Sequence, residues 1–508
     1  MLTDFVLQRL DAATEEGAEG VEPVYWRLYR VLQDAIFGGS LEAGTQLPPS
    51  RQLARELGIS RNTVIRAYEQ LSAEGYVRGG VGSGTFVADT NPDRLVGSPY
   101  NNKSRASPRE NRAGMFLPRA TFSQRGMALT DGAGAGTRQW GAFMPGVPDV
   151  RMFPLRIWSR LSNRALRRPS PELLSYAVGP GYAPLRTALA SYLRTARGVR
   201  CTPEQLIVTF GIHTCLQLIA YMLCDAGERV WMEDPGYWGV RSVLRAAGVD
   251  VLPAPVDHEG LQFARHVRQT QTGQQPVPRL IVVSPSHQYP LGAVMSLARR
   301  RQLLEYARSA RCWVVEDDYD SEFRYGSRPL PSLQGLDEAG RVLYMGTFSK
   351  VLFPGLRMGY LVVPEDLAEG FTLGLAEIYR GGQYLLQAVM ADFIAEGHFV
   401  SHIRRMRLVY AERRQCLLDA IRSRFGDAFP IQDEAVGLHT ALRLPTGCDD
   451  GAISAAALAD GVITRPLSGY YINRRHRQPG LVLGYGHVDP KDIPAHFDTV
   501  ARAIARHI

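Results

Sequence analysis

The chain has 508 residues, 45% of them hydrophobic and 21% charged, a balance that excludes a disordered or fibrous protein. That length exceeds one ordinary core, so two or three domains are expected. The formal net charge is +8, yet residues 1–90 carry more acids than arginines, so bulk charge does not carry a nucleic-acid reading.

The opening stretch MLTDFVLQRLDAATEEGAEG has no basic region ahead of an apolar one, and no apolar run is long enough for a bilayer. A cytoplasmic protein without membrane contact is expected. Cys201, Cys215, Cys224, Cys312, Cys416 and Cys448 are scattered without CxxC spacing, which suggests neither a zinc site nor a disulfide framework, and no metal is expected.

Residues 22–88 read as short helices followed by a Gly-rich pair of strands. In PSRQLARELGISRNTVIRAYEQLSAEG, Ser50 is placed to cap a first helix with Leu53, Ala54 and Leu57 facing inward, and Gly58 supplies the turn. Ser60 then caps a second helix, in which Val64, Tyr68 and Leu71 form the apolar face. Arg61, Asn62, Thr63 and Arg66 are left on the outer face of its first turns, as a helix entering the major groove requires. Arginine and asparagine there can read base edges, and Arg51 and Thr63 can hold phosphate. GYVRGGVGSGTFVAD reads as two strands with Gly82 and Ser83 at their turn, a wing for the adjacent groove. With the wing attached, this segment resembles the winged helix of GntR-family transcription regulators, which implies binding to double-stranded operator DNA.

Residues 89–139 are rich in Pro, Gly, Ser, Asn and Arg and read as a basic flexible linker. From 140 to 508 short apolar runs alternate with amphipathic stretches, the pattern of an α/β domain. QLIVTF, RVWMED, RLIVVSP, CWVVEDD and RVLYMGT are its buried-strand candidates, and HTCLQLIAYMLCDAG and SLARRRQLLEYARSAR its helices.

Only three lysines, Lys103, Lys350 and Lys491, occur in the chain. Lys350 follows the strand RVLYMGT and precedes the apolar VLFPGLRMGY, so it leaves a strand end for an apolar loop. A desolvated lysine near cationic neighbours is nucleophilic enough to form a Schiff base with an aldehyde. Arg357 would suit a phosphate close by. Pyridoxal phosphate combines that aldehyde and phosphate with a phenolic oxygen and a pyridine nitrogen. Asp317 is the candidate partner of the nitrogen, Tyr319 of the phenolic oxygen, and Tyr237 the stacking ring, with Trp238 less favoured. Gly211 and the helix opening at Ile212 and His213 offer backbone donors to the phosphate.

Residues 140–508 resemble the fold-type I aminotransferase domain, and the whole chain resembles the MocR subfamily of GntR regulators, in which a winged helix is fused to that domain. The stretches FMPGVPDVRMFP, SYAVGPGYAPLR, SPSHQYPLG, EDDYDSEFRY and GTFSKVLFPGLRMGY carry the likeness. The resemblance implies that Lys350 forms the internal aldimine, Asp317 pairs with the ring nitrogen, Tyr319 bonds the phenolic oxygen and Tyr237 stacks. Arg357 and the backbone at Ile212 and His213 would hold the phosphate, with Ser349 or Thr347 assisting. Tyr176 resembles the tyrosine that reaches the phosphate of the neighbouring subunit, which implies a homodimer with a shared site. Two departures stand out. Ile212 and His213 replace a small residue and Gln, and Val482 occupies the position where aminotransferases carry the arginine for the substrate carboxylate. Arg465 is a candidate substitute, with a surface or phosphate role open to it as well.

The expected function is a PLP-dependent transcription regulator that senses the cofactor itself, an amine or an amino acid. The missing carboxylate arginine favours the cofactor as the signal. The alternative is an active aminotransferase fused to a DNA-binding domain.

Overall fold

The computed structural model describes residues 23–80, 84–88, 122–130, 140–176, 179–326, 331–432 and 435–508. Two compact units divide the chain between Leu117 and Pro118.

In the first unit the helix Val24–Phe37 buries Leu28, Val31, Leu32 and Ala35 along one face, packed against the helix Arg61–Ala73. That second helix buries Val64, Ala67, Tyr68 and Leu71. Between them Ser50–Glu56 buries Leu53 and Ala54, and Gly58 makes the turn in the left-handed region at φ +65°. Ser60 caps the longer helix, its side chain accepting the Thr63 N–H at 3.1 Å. Ser50 does not cap: it is already the first helical residue. Pro49 precedes it with φ near −53°, and the ring sets the entry angle without a side-chain hydrogen bond. Strands β1 (Gln46–Leu47), β2 (Val77–Gly80) and β3 (Gly84–Val87) form an antiparallel sheet in the order β1–β3–β2. The sequence pattern showed β2 and β3; two-residue β1 is too short to display an alternation.

The linker expectation is corrected at Gln124–Thr130, a helix that packs on the helix Trp238–Ala246. Ser123 starts it by accepting the Gly126 N–H at 3.1 Å. Residues 89–121 and 131–139 lie outside the described residues.

The second unit is built on an eight-stranded sheet: β4 (Leu206–Thr209), β5 (Arg229–Asp234), β6 (Asp250–Asp257), β7 (Gly260–Leu261), β8 (Leu280–Val283), β9 (Trp313–Asp318), β10 (Val342–Thr347) and β11 (Gly359–Val362). Their order is β4–β11–β10–β9–β8–β5–β6–β7. The ladder from β10 to β6 is parallel. Strand β11 is antiparallel to both β10 and β4, so β4 points the same way as the parallel set. Alternate residues feed opposite faces: Ile207, Val230, Met232, Leu343 and Leu361 pack with the helix Ile212–Leu223 on one side. Trp231, Ile281, Val283 and Val314 belong to a separate cluster with Leu303 and Ala307 on the other. The five strand candidates from the sequence coincide with β4, β5, β8, β9 and β10.

A smaller antiparallel sheet follows, with β12 (Ile431–Gln432), β13 (His439–Arg443), β14 (Arg465–Pro466) and β15 (Gly480–Gly484) in the order β12–β13–β15–β14. The helices His398–Phe425 and Ile493–Ala505 pack together beside it, burying Tyr410, Leu417, Ile421, Phe497 and Val500. No helix among the described residues is long and apolar enough to cross a membrane.

Candidate functional site

In the first unit the residues expected to touch DNA are on the outside. Arg51, Ser60, Arg61, Asn62 and Arg66 are exposed and Thr63 is half-buried, its hydroxyl 2.8 Å from that of Ser60. Arg66 also lies over the Tyr25 ring, 5.8 Å from its centroid, so part of its cation is used within the unit. Gly82 and Ser83 lie outside the described residues. Replacing Arg61 with alanine should lower operator affinity about 10- to 100-fold, about 1–3 kcal/mol for a base-reading arginine, and leave thermal stability unchanged. Fluorescence anisotropy on operator DNA reads the first and calorimetry the second.

In the second unit the parallel strands deliver their carboxyl ends to one edge of the sheet, where a cavity of about 380 Å³ opens. Strand β9 carries Asp317 as its last residue but one and ends at Asp318, from which the chain continues through Tyr319; β10 ends at Thr347, just before Ser349 and Lys350. The turn after β4 leads through Gly211 to Ile212 and His213, and the turn after β5 leads to Tyr237. Eight of these line the cavity together with Arg357; Asp318 and Gly211 do not. Tyr176 does not join them within the single chain: its side chain is 88% exposed.

Lys350 donates from Nζ to the Gly146 carbonyl at 2.9 Å. That loop is anchored nearby: the Asp149 carboxylate takes a 2.7 Å hydrogen bond from Arg413, and the Tyr410 hydroxyl accepts the Asp149 N–H at 3.0 Å. Burial lowers the Lys350 pKa from the ordinary lysine value, with Arg357 pushing the same way and Asp320 and Asp317 opposing. Burial also holds the Asp317 carboxyl well above the usual carboxylate range, reinforced by Asp318, Glu233 and Asp320. His213 is lowered, first by burial and then by Arg357 and Lys350; its Nε2 is 3.3 Å from the Tyr237 hydroxyl.

Two observations test whether pyridoxal phosphate fits. Asp317 Oδ1 is buried without a hydrogen-bond partner, an arrangement that costs free energy unless a donor enters the cavity. A protonated ring nitrogen is such a donor. At the other end, Gly211 (φ +106°) leaves room that a side chain would fill: a Cβ there would lie 3.9 Å from the Arg357 guanidinium carbon. Arg357 itself is held at φ +46°, an unusual conformation for a side-chain-bearing residue. The start of the helix Ile212–Leu223, with its free N–H groups, completes an anion cradle. The donor set fits the cofactor.

Several cavity residues escaped the sequence reading. Tyr289, Tyr470 and Arg241 line it, the first two with their hydroxyls 3.0 Å apart. The stretch SPSHQYPLG containing Tyr289 was visible as a motif, but nothing in its pattern says which side chain turns inward. Tyr470 and Arg465 come from the small sheet and its neighbourhood, far along the chain. Val482 is buried in β15 and does not line the cavity, whereas Arg465, its register partner on β14, does. Three arginines, Arg241, Arg357 and Arg465, are among the residues that line the cavity.

A winged helix and an aminotransferase-type fold carried by one chain define a class of transcription regulator. Residues 24–87 match the bacterial regulatory proteins of the gntR family, and residues 159–477 match aminotransferase class I and II. The chain belongs to the MocR-type branch of the GntR family. It is 41% identical to the probable rhizopine catabolism regulatory protein MocR of Rhizobium meliloti, over 92% of this chain and 91% of that one. It is 31% identical to the HTH-type transcriptional regulator TauR of Rhodobacter capsulatus, over 94% and 96%. Among solved structures, an archaeal alanine:glyoxylate aminotransferase superposes with a TM-score of 0.69 at 23% identity, covering 76% of this chain and 96% of that one. This last likeness speaks to the fold alone.

Proposed function

We propose that this regulator binds pyridoxal phosphate in the cavity around Lys350 and uses it to detect an amine that also carries an anionic group. The partnerless Asp317 oxygen, in the same cavity as a lysine of lowered pKa, is the observation that carries the reading. When bound, the cofactor supplies an aldehyde that condenses with amines and a ring that withdraws electrons.

The chain's own groups do the rest. Lys350 presents a nucleophilic nitrogen held in place by the Gly146 carbonyl. Asp317 would keep a proton on the ring nitrogen, Tyr319 would donate to the ring oxygen, and Tyr237 would cover the ring face. Arg357 and the N–H groups at Ile212 and His213 would hold the phosphate, with Thr347 and Ser349 also in the cavity lining. Tyr176, exposed in the single chain, would reach the phosphate of a second copy in a homodimer.

Val482 by itself favours the cofactor as the signal, since no charge stands where a carboxylate would be met. Arg465, on the neighbouring strand and in the cavity wall, supplies a cation one strand away and supports an anionic effector instead. A working aminotransferase is less supported, because the relatives matched over nearly the whole length are regulators.

Operator affinity of the full chain, measured without cofactor, with it, and with it plus a series of amino acids and aminosulfonates, tests this. Amines bearing an anion should shift affinity about 10-fold, within the usual range of coupling energies, and Arg465→Met should abolish that shift while cofactor uptake persists. A shift on adding cofactor alone, insensitive to every amine, would return the cofactor to the role of signal. No cofactor uptake by the wild type would overturn the reading entirely.

A further inference from the structure

Just behind the cavity wall three buried side chains meet at one nitrogen. His287 Nδ1 is 2.9 and 3.1 Å from the two carboxylate oxygens of Asp320, and 2.9 Å from the Tyr319 hydroxyl. Their exposures are 3%, 1% and 8% for His287, Asp320 and Tyr319. A ring nitrogen either carries a hydrogen and donates or lacks one and accepts, and a carboxylate only accepts. With Asp320 in contact, Nδ1 carries the hydrogen; the same holds if the imidazole is charged. The Tyr319 oxygen can then only accept from that N–H, and its own hydrogen is turned away from His287.

The segment leading into β13 closes over the pair. Gly437 (φ +81°) approaches so near that a Cβ would collide with both His287 and Asp320, and its carbonyl accepts 2.7 Å hydrogen bonds from Tyr325 and Tyr485. The His439 ring lies 4.9 Å from that of His287, and its Nε2 is 3.1 Å from the Pro290 carbonyl. Water, which would offer Nδ1 and the phenol other partners, is kept out on that side.

We infer that Asp320 and His287 are positioning residues that fix the polarity of the Tyr319 hydroxyl, so that its hydrogen points into the cavity as a donor to a ring oxygen of the bound cofactor. The inference rests on the cofactor reading above. Tyr319 supplies the contact; His287 and Asp320 act only through it.

The test uses the full chain loaded with pyridoxal phosphate and follows its visible absorption against pH. Losing a donor to the ring oxygen leaves more negative charge beside the Lys350 nitrogen, which then holds its proton to higher pH. Tyr319→Phe should raise the midpoint by about one pH unit. His287→Leu and His287→Ala, which remove the N–H that fixes the phenol and leave the Asp320 charge in place, should raise it in the same direction by about half a unit or more. His287→Asn, which retains an N–H donor near the Nδ1 position, should stay close to wild type. A merely structural role would lower the melting temperature of these variants without moving the midpoint. If Tyr319→Phe moves the midpoint while whichever of His287→Leu and His287→Ala folds leaves it in place, the inference is wrong. If the wild type captures cofactor but Tyr319→Phe has no effect, it is wrong as well. Absence of capture by the wild type marks instead the failure of the underlying cofactor reading.

Discussion

Lys350→Ala should abolish covalent capture of pyridoxal phosphate: borohydride treatment should fix no cofactor to the chain, where the wild type should take up about one equivalent. The reason lies in the chemistry of the side chain more than in its charge. The lowered pKa of Lys350, caused first by burial, means that more of the amine is unprotonated at neutral pH than for a lysine in water. Capture by the wild type should therefore set in below the ordinary lysine range as pH is raised. Lys350→Arg should be as inert as alanine, because a guanidinium stays protonated and does not attack an aldehyde. The winged helix has its own core, built from Leu28, Leu32, Leu53, Val64 and Leu71. Operator affinity of Lys350→Ala without ligands should accordingly stay within about twofold of wild type, while any ligand-dependent change disappears. Mass spectrometry after reduction and anisotropy on operator DNA measure the two effects.

Asp317→Asn should move stability and cofactor affinity in opposite directions. In the cofactor-free protein the folded pKa of Asp317 is raised above its unfolded value, because burial and three nearby acids disfavour its charge. Such a group contributes stability below the unfolded value, about 3.9, and loses that contribution as pH rises through the folded one. Near neutral pH the asparagine variant should thus be more stable than wild type, by about 1.4 kcal/mol for each pH unit above the unfolded value over which the folded carboxyl stays protonated. The gain should vanish in acid. With cofactor present the order reverses, since the carboxylate then faces a protonated nitrogen. Affinity for pyridoxal phosphate should fall about 100-fold, about 3 kcal/mol. Thermal melting across pH gives the first result and a spectroscopic titration the second; a destabilised apoprotein at neutral pH would contradict the assignment.

The strand candidates RVWMED, CWVVEDD and RVLYMGT coincide with strands because unbroken apolar runs ending in polar residues have few other ways to be buried. The Ser60 cap and the Gly58 turn were equally legible, since each depends on one residue and its immediate neighbours. Ser50 does not cap because the helix already begins at it, behind Pro49, whose fixed φ sets the entry without a hydrogen bond. Gln124–Thr130 leaves no trace in the sequence pattern, because seven residues are too few for a helical period to show. Strand β11 hid inside what read as an apolar loop.

The sequence by itself determined the two kinds of domain and the positions that leave strand ends, including Lys350, Asp317 and Tyr237, because those follow from local periodicity and chain order. Only the tertiary structure decided what stands opposite them. Arg465 reaches the cavity through its pairing with Val482, the Gly146 carbonyl meets a lysine 204 residues away, and Gly437 seals His287 against Asp320. Such contacts are set by sheet register and by how the small lobe lies on the large one, and both are sums over many weak packing contacts that no short stretch of residues records.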